Sequence, residues 1–391
     1  MRRMFGALCA LILLAGCGGD GSSSSFEFQD LADQGITRYL GAARPSRGVE
    51  LGSGDTVYEF AAADGPLCLH GGLFRAAVRH NDSDDLVIYL QGGGVCSSAI
   101  CLVTFSDTES IFDTGVPAAG ILNVALEANP VRGWNVVYSP YCDGSLMVGD
   151  VDRDVDGDGQ IEYQHGLRNL SAVIDLAKSE FPRPRRILLT GASAGGFATF
   201  WALPLVRAEY PDAEILVVND AGVGIGVPGD TDGVARLAAE FNASAFIPAS
   251  CVGCFDRGHL MPLLGWELER DANVRAGIIS SFGDVVITST FLSISADAFA
   301  TALLSESSAI AARFPDRFKR FLFSGIKHTT IAVDASSDLR QALDIGIDLD
   351  VAFLDMILGR FDVTEIGGVT VESWVTGMVD GGEWNDLVDN M

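Results

Sequence analysis

One stretch of this sequence, Arg186–Gly196, passes from an apolar run to a helix-like segment through small residues alone. Its first half resembles a strand buried on both faces of a sheet. The segment that follows, Phe197–Glu209, has the length and pattern of a helix. Between them Gly191–Gly195 has the sequence GASAG, which fits the G-x-S-x-G pattern of a nucleophile elbow. Strand, turn and helix together predict that the Ser193 hydroxyl projects from the end of a strand. The chain contains 45 glycines, so a glycine-rich turn with an unreactive serine is the alternative.

Further apolar runs alternate with helical patterns along the chain, which predicts a mostly parallel sheet with helices on both faces. The predicted helices before and after the elbow are Tyr163–Phe181 and Ala296–Phe314. Residues 223–273 are irregular, and we expect them to form an insertion near a pocket. With 391 residues, 48% of them hydrophobic, residues 26–391 are predicted to form a single catalytic α/β domain. The remaining predicted strands are Leu86–Leu90, Trp134–Tyr138, Glu214–Asp220, Ala276–Phe282 and Arg317–Ser324.

The N-terminus has the features of an export signal. A basic start precedes the short apolar run Phe5–Leu14, which is too short for a comfortable membrane span. Leu14–Cys17 resembles a bacterial lipobox, which implies a signal peptide over residues 1–16 and a lipid on Cys17. Residues 17–25 have the composition of a flexible tether. We expect a lipoprotein of the bacterial cell envelope that meets the membrane only through its anchor, with simple secretion as the alternative.

Six cysteines remain after Cys9 and Cys17, and an even number in an exported protein favours disulfides. Their spacings suggest the pairs Cys96–Cys101 and Cys251–Cys254, which leaves Cys68–Cys142. A redox or metal site at the CxxC of Cys251 and Cys254 is the alternative.

The formal charge is -26, from 52 acidic and 26 basic residues, so nucleic acid is excluded as a partner. The acidic residues concentrate in Asp150–Asp158. Asp154, Asp156 and Asp158 match the first positions of a calcium loop, but position twelve is His165 rather than glutamate. The segment is therefore predicted to be either an incomplete calcium site or an Asp/Gly-rich hairpin turn.

A serine nucleophile needs a histidine base and a carboxylate that orients it, and behind an elbow their order is serine, acid, histidine. Of the five histidines, only His259 and His328 follow Ser193, and His328 directly follows a predicted strand. Asp284 also follows a predicted strand and lies between Ser193 and His328, so these three form the candidate triad. Asp220 and Asp256 are the rival acids.

A glycine-rich loop, Gln91–Cys96, directly follows the predicted strand Leu86–Leu90. Glycines after a strand let backbone N–H groups approach a ligand closely, and such a loop supplies part of an oxyanion hole in serine hydrolases. Gly93 and Gly94 are the candidate donors, and a flexible turn is the alternative.

Several segments after Leu86 together resemble one known family. They are Gln91–Cys96, Tyr141–Ser145, Tyr163–Asn169, Gly191–Gly196, Asp220–Gly222 and the loops that carry Asp284 and His328. In this order they resemble the pectin acetylesterase family, which includes the Notum carboxylesterases. The resemblance implies an α/β-hydrolase fold, ester hydrolysis by Ser193, Asp284 and His328, and an oxyanion donor at Ala194. It also supports the Cys96–Cys101 disulfide.

The sequence therefore predicts an exported serine carboxylesterase that removes an acetyl or other acyl group, including one on a polysaccharide, without a required cofactor. Val95 stands where the family usually has a tryptophan, which together with the negative charge argues against pectin. The other hypotheses are a non-catalytic, calcium-dependent surface binding lipoprotein and a thiol-disulfide protein that uses Cys251 and Cys254.

Overall fold

The apolar runs form the centre of one large sheet in a computed structural model, which describes residues 26–103, 111–155, 157–339 and 351–391. Seven of the described strands run parallel in the order β7-β4-β10-β11-β12-β13-β16. Because both faces of the inner strands are covered, their sequences are apolar almost throughout. The strands are β4 (Asp85–Leu90), β7 (Asn135–Ser139), β10 (Arg186–Ala192), β11 (Glu214–Asp220), β12 (Val274–Ser281), β13 (Phe318–Phe323) and β16 (Leu387–Val388).

Three antiparallel strands extend the sheet beyond β7 at one edge. They are β1 (Pro45–Glu50), β2 (Thr56–Phe60) and β3 (Arg75–Arg79), and β3 pairs with β7. The described part of the chain also contains three separate hairpins. They are β5 (Gly94–Cys96) with β6 (Cys101–Val103), β8 (Val151–Arg153) with β9 (Glu162–Gln164), and β14 (Glu365–Ile366) with β15 (Val369–Thr370).

Helices cover both faces of the sheet, as alternate residues of β4 illustrate. Leu86, Ile88 and Leu90 join the apolar core beneath helices α3 (Gly166–Glu180) and α4 (Ala194–Glu209), whereas Val87 and Tyr89 join the core beneath α9 (Val371–Asp380). This alternation follows from the strand geometry, in which successive side chains point to opposite faces. The described helices are α1 (Gln29–Asp33), α2 (Ile111–Thr114), α3 (Gly166–Glu180), α4 (Ala194–Glu209), α5 (Gly233–Glu240), α6 (Pro262–Arg270), α7 (Ala296–Arg313), α8 (Val351–Ile357) and α9 (Val371–Asp380). The predicted fold class, a mostly parallel α/β-hydrolase-like sheet with helices on both faces, is confirmed.

Two of the predicted segments differ from the structure. The helix before the elbow begins at Gly166 rather than Tyr163, because Glu162–Gln164 pairs antiparallel with Val151–Arg153. Residues 223–273 are less irregular than the sequence suggested, since they contain α5, α6 and the short 3-10 turn Ser244–Phe246. That they are an insertion stays a prediction.

Three disulfides join the cysteines in the pairs that their spacing suggested. They are Cys68–Cys142, Cys96–Cys101 and Cys251–Cys254. The predicted signal peptide, Cys17 and the tether lie outside the described residues. Within the described residues no single helix has the length and hydropathy of a membrane span. Among the helices that the structure describes, the Val286–Leu292 segment and α7 reach those values together, and they are bent by 107° relative to each other.

Candidate active site

Ser193 lies at the sharp turn between β10 and α4, where the sequence placed it. Its backbone has φ 57° and ψ -121°, a left-handed conformation that a residue other than glycine adopts only under strain. Its N–H donates to the carbonyl oxygen of Asp220 at 2.8 Å, which ties the elbow to the end of the neighbouring strand β11. The residue is partly exposed and lines two cavities.

Small residues make this turn possible. A Cβ on Gly195 would lie against the carbonyl group of Leu90, and one on Gly191 would lie against the backbone of Gly195. The start of α4 therefore packs backbone to backbone against the end of β4, which any larger side chain would prevent.

His328 and Asp284 form a buried pair at the ends of adjacent strands. His328 follows β13, Asp284 follows β12, and Nδ1 of His328 lies 2.8 Å and 3.0 Å from the two carboxylate oxygens of Asp284. His328 is 6% exposed and Asp284 is fully buried. Burial by itself would lower the pKa of His328, but the charge and hydrogen bond of Asp284, with a contribution from Asp220, raise it above its usual value of 6.5.

The backbone holds the Asp284 carboxylate in place. The N–H groups of Val286 and Ile287 donate to its Oδ1 atom at 3.1 Å and 3.0 Å. These donors begin a π-helical segment, Val286–Leu292. Because Nδ1 of the imidazole hydrogen-bonds to Asp284, Nε2 is the ring nitrogen that remains for a substrate or for Ser193.

Asp220, the rival acid, contacts the backbone after His328 rather than its ring. Its Oδ2 atom accepts from the N–H groups of Thr330 and Ile331 at 2.5 Å and 2.9 Å. Asp220 is 1% exposed, and burial raises its pKa to about 6. This carboxylate therefore connects the elbow, through its own carbonyl, with the loop that carries His328.

The other rejected candidates lie elsewhere. His259 is buried with Nδ1 as acceptor for the N–H of Gly226, and Asp256 is exposed. Neither lines a cavity at Ser193. His165 bonds the Gly65 carbonyl and the Asp152 carboxylate.

The glycine loop borders the same space as Ser193. Gly93 and Gly94 line a cavity together with Ser193 and His328, and Ala194 lines a second cavity that also includes Gly94 and Ser193. Tyr141 anchors this loop, because its N–H donates to the Gln91 side chain at 3.0 Å and its hydroxyl donates to the Gly94 carbonyl at 3.0 Å. That Gly93, Gly94 and Ala194 are oxyanion donors stays a prediction.

The two cavities are apolar, and their lining is the part of the site that sequence reasoning missed. The π-helical segment Val286–Leu292 contributes to both cavities, with Phe291 between them. Leu354 of α8 lines the first cavity and Leu237 of α5 the second. These residues come from segments far apart in the chain, and no local pattern marks them as neighbours of Ser193.

The acidic segment includes β8, and its described residues after Arg153 lie between β8 and β9. Asp154 accepts from the N–H groups of Gly157 and Gly159 at 2.7 Å and 3.0 Å, and Asp156 lies outside the described residues. Residues 26–103, 111–155, 157–339 and 351–391 contain no group of three His, Cys, Asp or Glu side chains placed to hold a metal. Calcium binding here stays a prediction.

The profile of the family described as Pectinacetylesterase matches residues 55–242. This part of the chain is similar to the pectin acetylesterases. The predicted resemblance is thus confirmed for the part of the chain with the glycine loop and Ser193. Asp284 and His328 lie beyond the matched region, so their place in the site rests on the geometry given above.

Curated relatives of this chain include plant and animal proteins. Pectin acetylesterase 11 of Arabidopsis thaliana is 29% identical over 215 residues, which cover 50% of this chain and 54% of the relative. Pectin acetylesterase 7 of the same plant is 27% identical over 232 residues, or 53% and 58% of the two chains. Palmitoleoyl-protein carboxylesterase notum2 of Xenopus laevis is 29% identical over 121 residues, or 28% and 24%. The chain spans between 40% and 58% of the length of four pectin acetylesterases that it matches.

Proposed function

We propose that this protein is a serine carboxylesterase that cleaves acyl esters through an acyl-enzyme. The observation that carries the proposal is the buried His328–Asp284 pair, which opens on the cavity that the strained Ser193 also lines. The family match over residues 55–242 and the names of the relatives, which include acetylesterases and a palmitoleoyl-protein carboxylesterase, support an acyl ester as the substrate. An acetyl or longer acyl group, including one on a polysaccharide, falls within this class.

In the first half of the reaction, Ser193 Oγ attacks the ester carbonyl while His328 Nε2 takes its proton. A bond forms between Oγ and the carbonyl carbon, and the bond from that carbon to the alcohol oxygen breaks. His328 then gives the proton to the departing alcohol. Asp284 fixes the imidazole with its Nδ1 proton toward the carboxylate and stabilises the imidazolium.

In the second half, water repeats the attack on the acyl-enzyme and releases the acid and free Ser193. The N–H groups of Gly93, Gly94 and Ala194 are the proposed donors to the oxyanion in both halves. Nucleophile, base, orienting acid and oxyanion donors all come from this chain, so the proposed reaction requires no cofactor.

Replacement of Ser193 by alanine tests the proposal. We expect Ser193→Ala to reduce kcat/KM on a short p-nitrophenyl ester by about 10⁴-fold or more, since the nucleophile is removed. It should also abolish labelling by a fluorophosphonate probe. Ser305→Ala is the matched control, because Ser305 is exposed on α7 and lines neither cavity.

Hydrolysis by Ser193→Ala at the wild-type rate would contradict the proposal. Failure of the wild-type protein to react with the probe, together with calcium-dependent binding to cell-wall glycan, would favour the non-catalytic binding lipoprotein instead. The comparisons do not favour that alternative, because the relatives carry enzyme names.

We further propose export and lipid attachment at Cys17, on the basis of the Leu14–Cys17 motif. Three disulfides support an oxidising compartment. Metabolic labelling with a radioactive fatty acid should mark the wild-type protein and not the Cys17→Ser variant. Equal labelling of both would overturn the assignment.

A further inference from the structure

Two apolar cavities meet at the candidate nucleophile. The first has a volume of 350 Å³ and is lined in part by His328. The second has a volume of 270 Å³ and is lined in part by Ala194. Gly94, Ser193 and Phe291 line both cavities, so both cavities adjoin the serine. An ester bound at Ser193 extends in two directions from its carbonyl carbon, one along the acyl chain and the other along the alcohol.

The position of His328 decides which arm enters which cavity. In the proposed reaction the imidazole must protonate the departing alcohol oxygen, so the alcohol leaves on the His328 side. His328 lines only the first cavity, whereas Ala194 lines only the second. The first cavity is therefore the alcohol site and the second is the acyl site.

The lining of the alcohol site is mostly aromatic and aliphatic. Its polar side chains, besides Ser193 and His328, are Tyr89, Gln91, Tyr138, Thr290 and Thr329. Among the described residues that line it, none is Asp, Glu, Lys or Arg. Side chains that give it this character include Tyr89, Leu122, Tyr138, Val286, Phe291 and Leu354. An apolar cavity of roughly 150 Å³ in another protein holds benzene, so 350 Å³ is ample for a chain of several carbons.

Such a lining does not suit a sugar. A polysaccharide alcohol would bring hydroxyl groups, and in galacturonan also carboxylates, into a site with few polar partners. Each buried hydroxyl without a hydrogen bond weakens binding substantially. An apolar alcohol, in contrast, gains affinity from every methylene removed from water.

The acyl site is apolar as well, with Phe197, Ile225, Leu237 and Leu260 in its wall. Its charged lining residues, Asp230 and Arg236, form an ion pair with each other. The Arg236 side chain is 62% exposed, which places this pair toward solvent rather than at the serine.

We infer that the substrate is an ester with an apolar group on both sides of the carbonyl, a medium-chain acyl group and an apolar alcohol, rather than an acetylated polysaccharide. The inference rests on the proposed esterase function and assigns its substrate class. The alcohol is the part of the substrate that best tests this assignment, because it would bind in the cavity beside His328.

A series of esters with one acyl group and a lengthening alcohol tests the assignment. We expect kcat/KM for hexanoate esters of ethanol, butanol, hexanol and octanol to rise by about fourfold per methylene until the cavity is full. Constant or falling kcat/KM along the series would overturn the inference. Faster release of acetate from acetylated galacturonan than of hexanoate from octyl hexanoate would do the same.

Two variants separate the cavities. Ala332 lines only the first cavity and Leu237 only the second. Ala332→Phe should reduce the octyl-to-ethyl ratio of kcat/KM at least tenfold, while Leu237→Trp should keep the wild-type ratio and disfavour long acyl chains instead. If both variants changed the alcohol ratio equally, the assignment of the two sites would be wrong. Thermal unfolding of both variants checks that they fold.

A binding measurement keeps this inference distinct from the proposed function. Octan-1-ol should bind the inactive Ser193→Ala protein in a calorimetric titration, and the Ala332→Phe substitution in that background should weaken binding at least tenfold. Absence of octan-1-ol binding would overturn the apolar alcohol site even if the wild-type protein hydrolyses short esters. Absence of any ester hydrolysis would overturn the esterase proposal, whereas octan-1-ol binding would still support the apolar site.

Discussion

At the scale of single residues, two carboxylates hold His328 in different ways. Asp284 bonds the imidazole ring itself, at 2.8 Å from Nδ1. Asp220 bonds the backbone N–H groups of Thr330 and Ile331, and contributes a negative charge near the ring. Thr329, which lies between His328 and Thr330 in the chain, has φ 56°, a left-handed conformation that these contacts hold in place. Asp284 thus influences the protonation of the imidazole, and Asp220 influences the position of the loop that carries His328.

Replacement of Asp284 by asparagine tests the first role. The pKa of His328 is raised above 6.5, and only neutral imidazole accepts the serine proton. In the wild-type protein kcat/KM should therefore fall tenfold per pH unit once the pH drops below the pKa of His328. The midpoint of this acid limb should lie above pH 6.5. Asp284→Asn should shift this limb to lower pH, because the charge that raises the pKa is gone, and should reduce kcat roughly 10³- to 10⁴-fold. A pH–rate profile in both proteins provides the measurement.

Asp220→Asn is the matched comparison. The amide keeps an acceptor for the backbone N–H groups but removes the charge, so we expect a smaller shift of the acid limb in the same direction. Imperfect positioning of the histidine loop should reduce kcat roughly 10- to 100-fold with little change in KM. A larger loss in Asp220→Asn than in Asp284→Asn would mean that the two carboxylates have exchanged roles.

At the scale of elements, the elbow depends on close contact between α4 and the turn after β11. A Cβ on Gly222 would lie against the backbone nitrogen of Phe197 and the carbonyl carbon of Gly196. Asn219 reinforces the contact, since its side-chain amide donates to the Gly196 carbonyl at 2.7 Å and to the Gly222 carbonyl at 3.1 Å. The position of Ser193 is therefore set by backbone packing on both sides of the helix start.

We expect Gly222→Ala to destabilise the protein by roughly 1–3 kcal/mol, because the added methyl group must push backbone atoms apart. Esterase activity should fall further than stability predicts, since the displaced helix start carries Ser193. Chemical denaturation and the rate of fluorophosphonate labelling are the measurements. Gly133→Ala is the control, because Gly133 is exposed and its Cβ would meet no atom within 4 Å, so a change below roughly 0.5 kcal/mol is expected. Similar effects of the two substitutions would contradict the packing argument.

At the scale of the whole molecule, the Cys68–Cys142 disulfide joins the antiparallel edge of the sheet to its parallel part. It spans 74 residues, and both cysteines are buried in the core beneath α3 and α4. The N–H of Leu69 also donates to the Cys142 carbonyl at 2.7 Å. The bond thus constrains the unfolded chain over a long loop that contains β3, β4 and β7.

Loss of this bond should cost more than loss of a local one. By loop-closure entropy, Cys68→Ser with Cys142→Ser should lower the free energy of unfolding by roughly 4 kcal/mol. Cys251→Ser with Cys254→Ser, a pair separated by 3 residues, should lower it by roughly 2 kcal/mol. Denaturant unfolding of both double variants tests the order, and a larger loss in the second would contradict it.

Local patterns predicted much of the fold and of the candidate site. The strand Glu214–Asp220 has the bounds that its apolar run indicated, and the elbow strand begins at Arg186 as expected. The start of α3 was wrong, because Glu162–Gln164 pairs with a strand that the sequence pattern did not reveal. Short strands such as Leu387–Val388 carry too few residues to show a period, and their partners decide their structure.

The sequence by itself determined the order of Ser193, Asp284 and His328, each just after a strand. Because the carboxyl ends of parallel strands meet at one edge of a sheet, residues at these ends converge even when they are far apart in the chain. Only the tertiary structure decided what surrounds them. The contact of Asp220 with the His328 loop and the two apolar cavities around Phe291 arise where distant segments pack, and packing between distant segments leaves no periodic signal in the sequence.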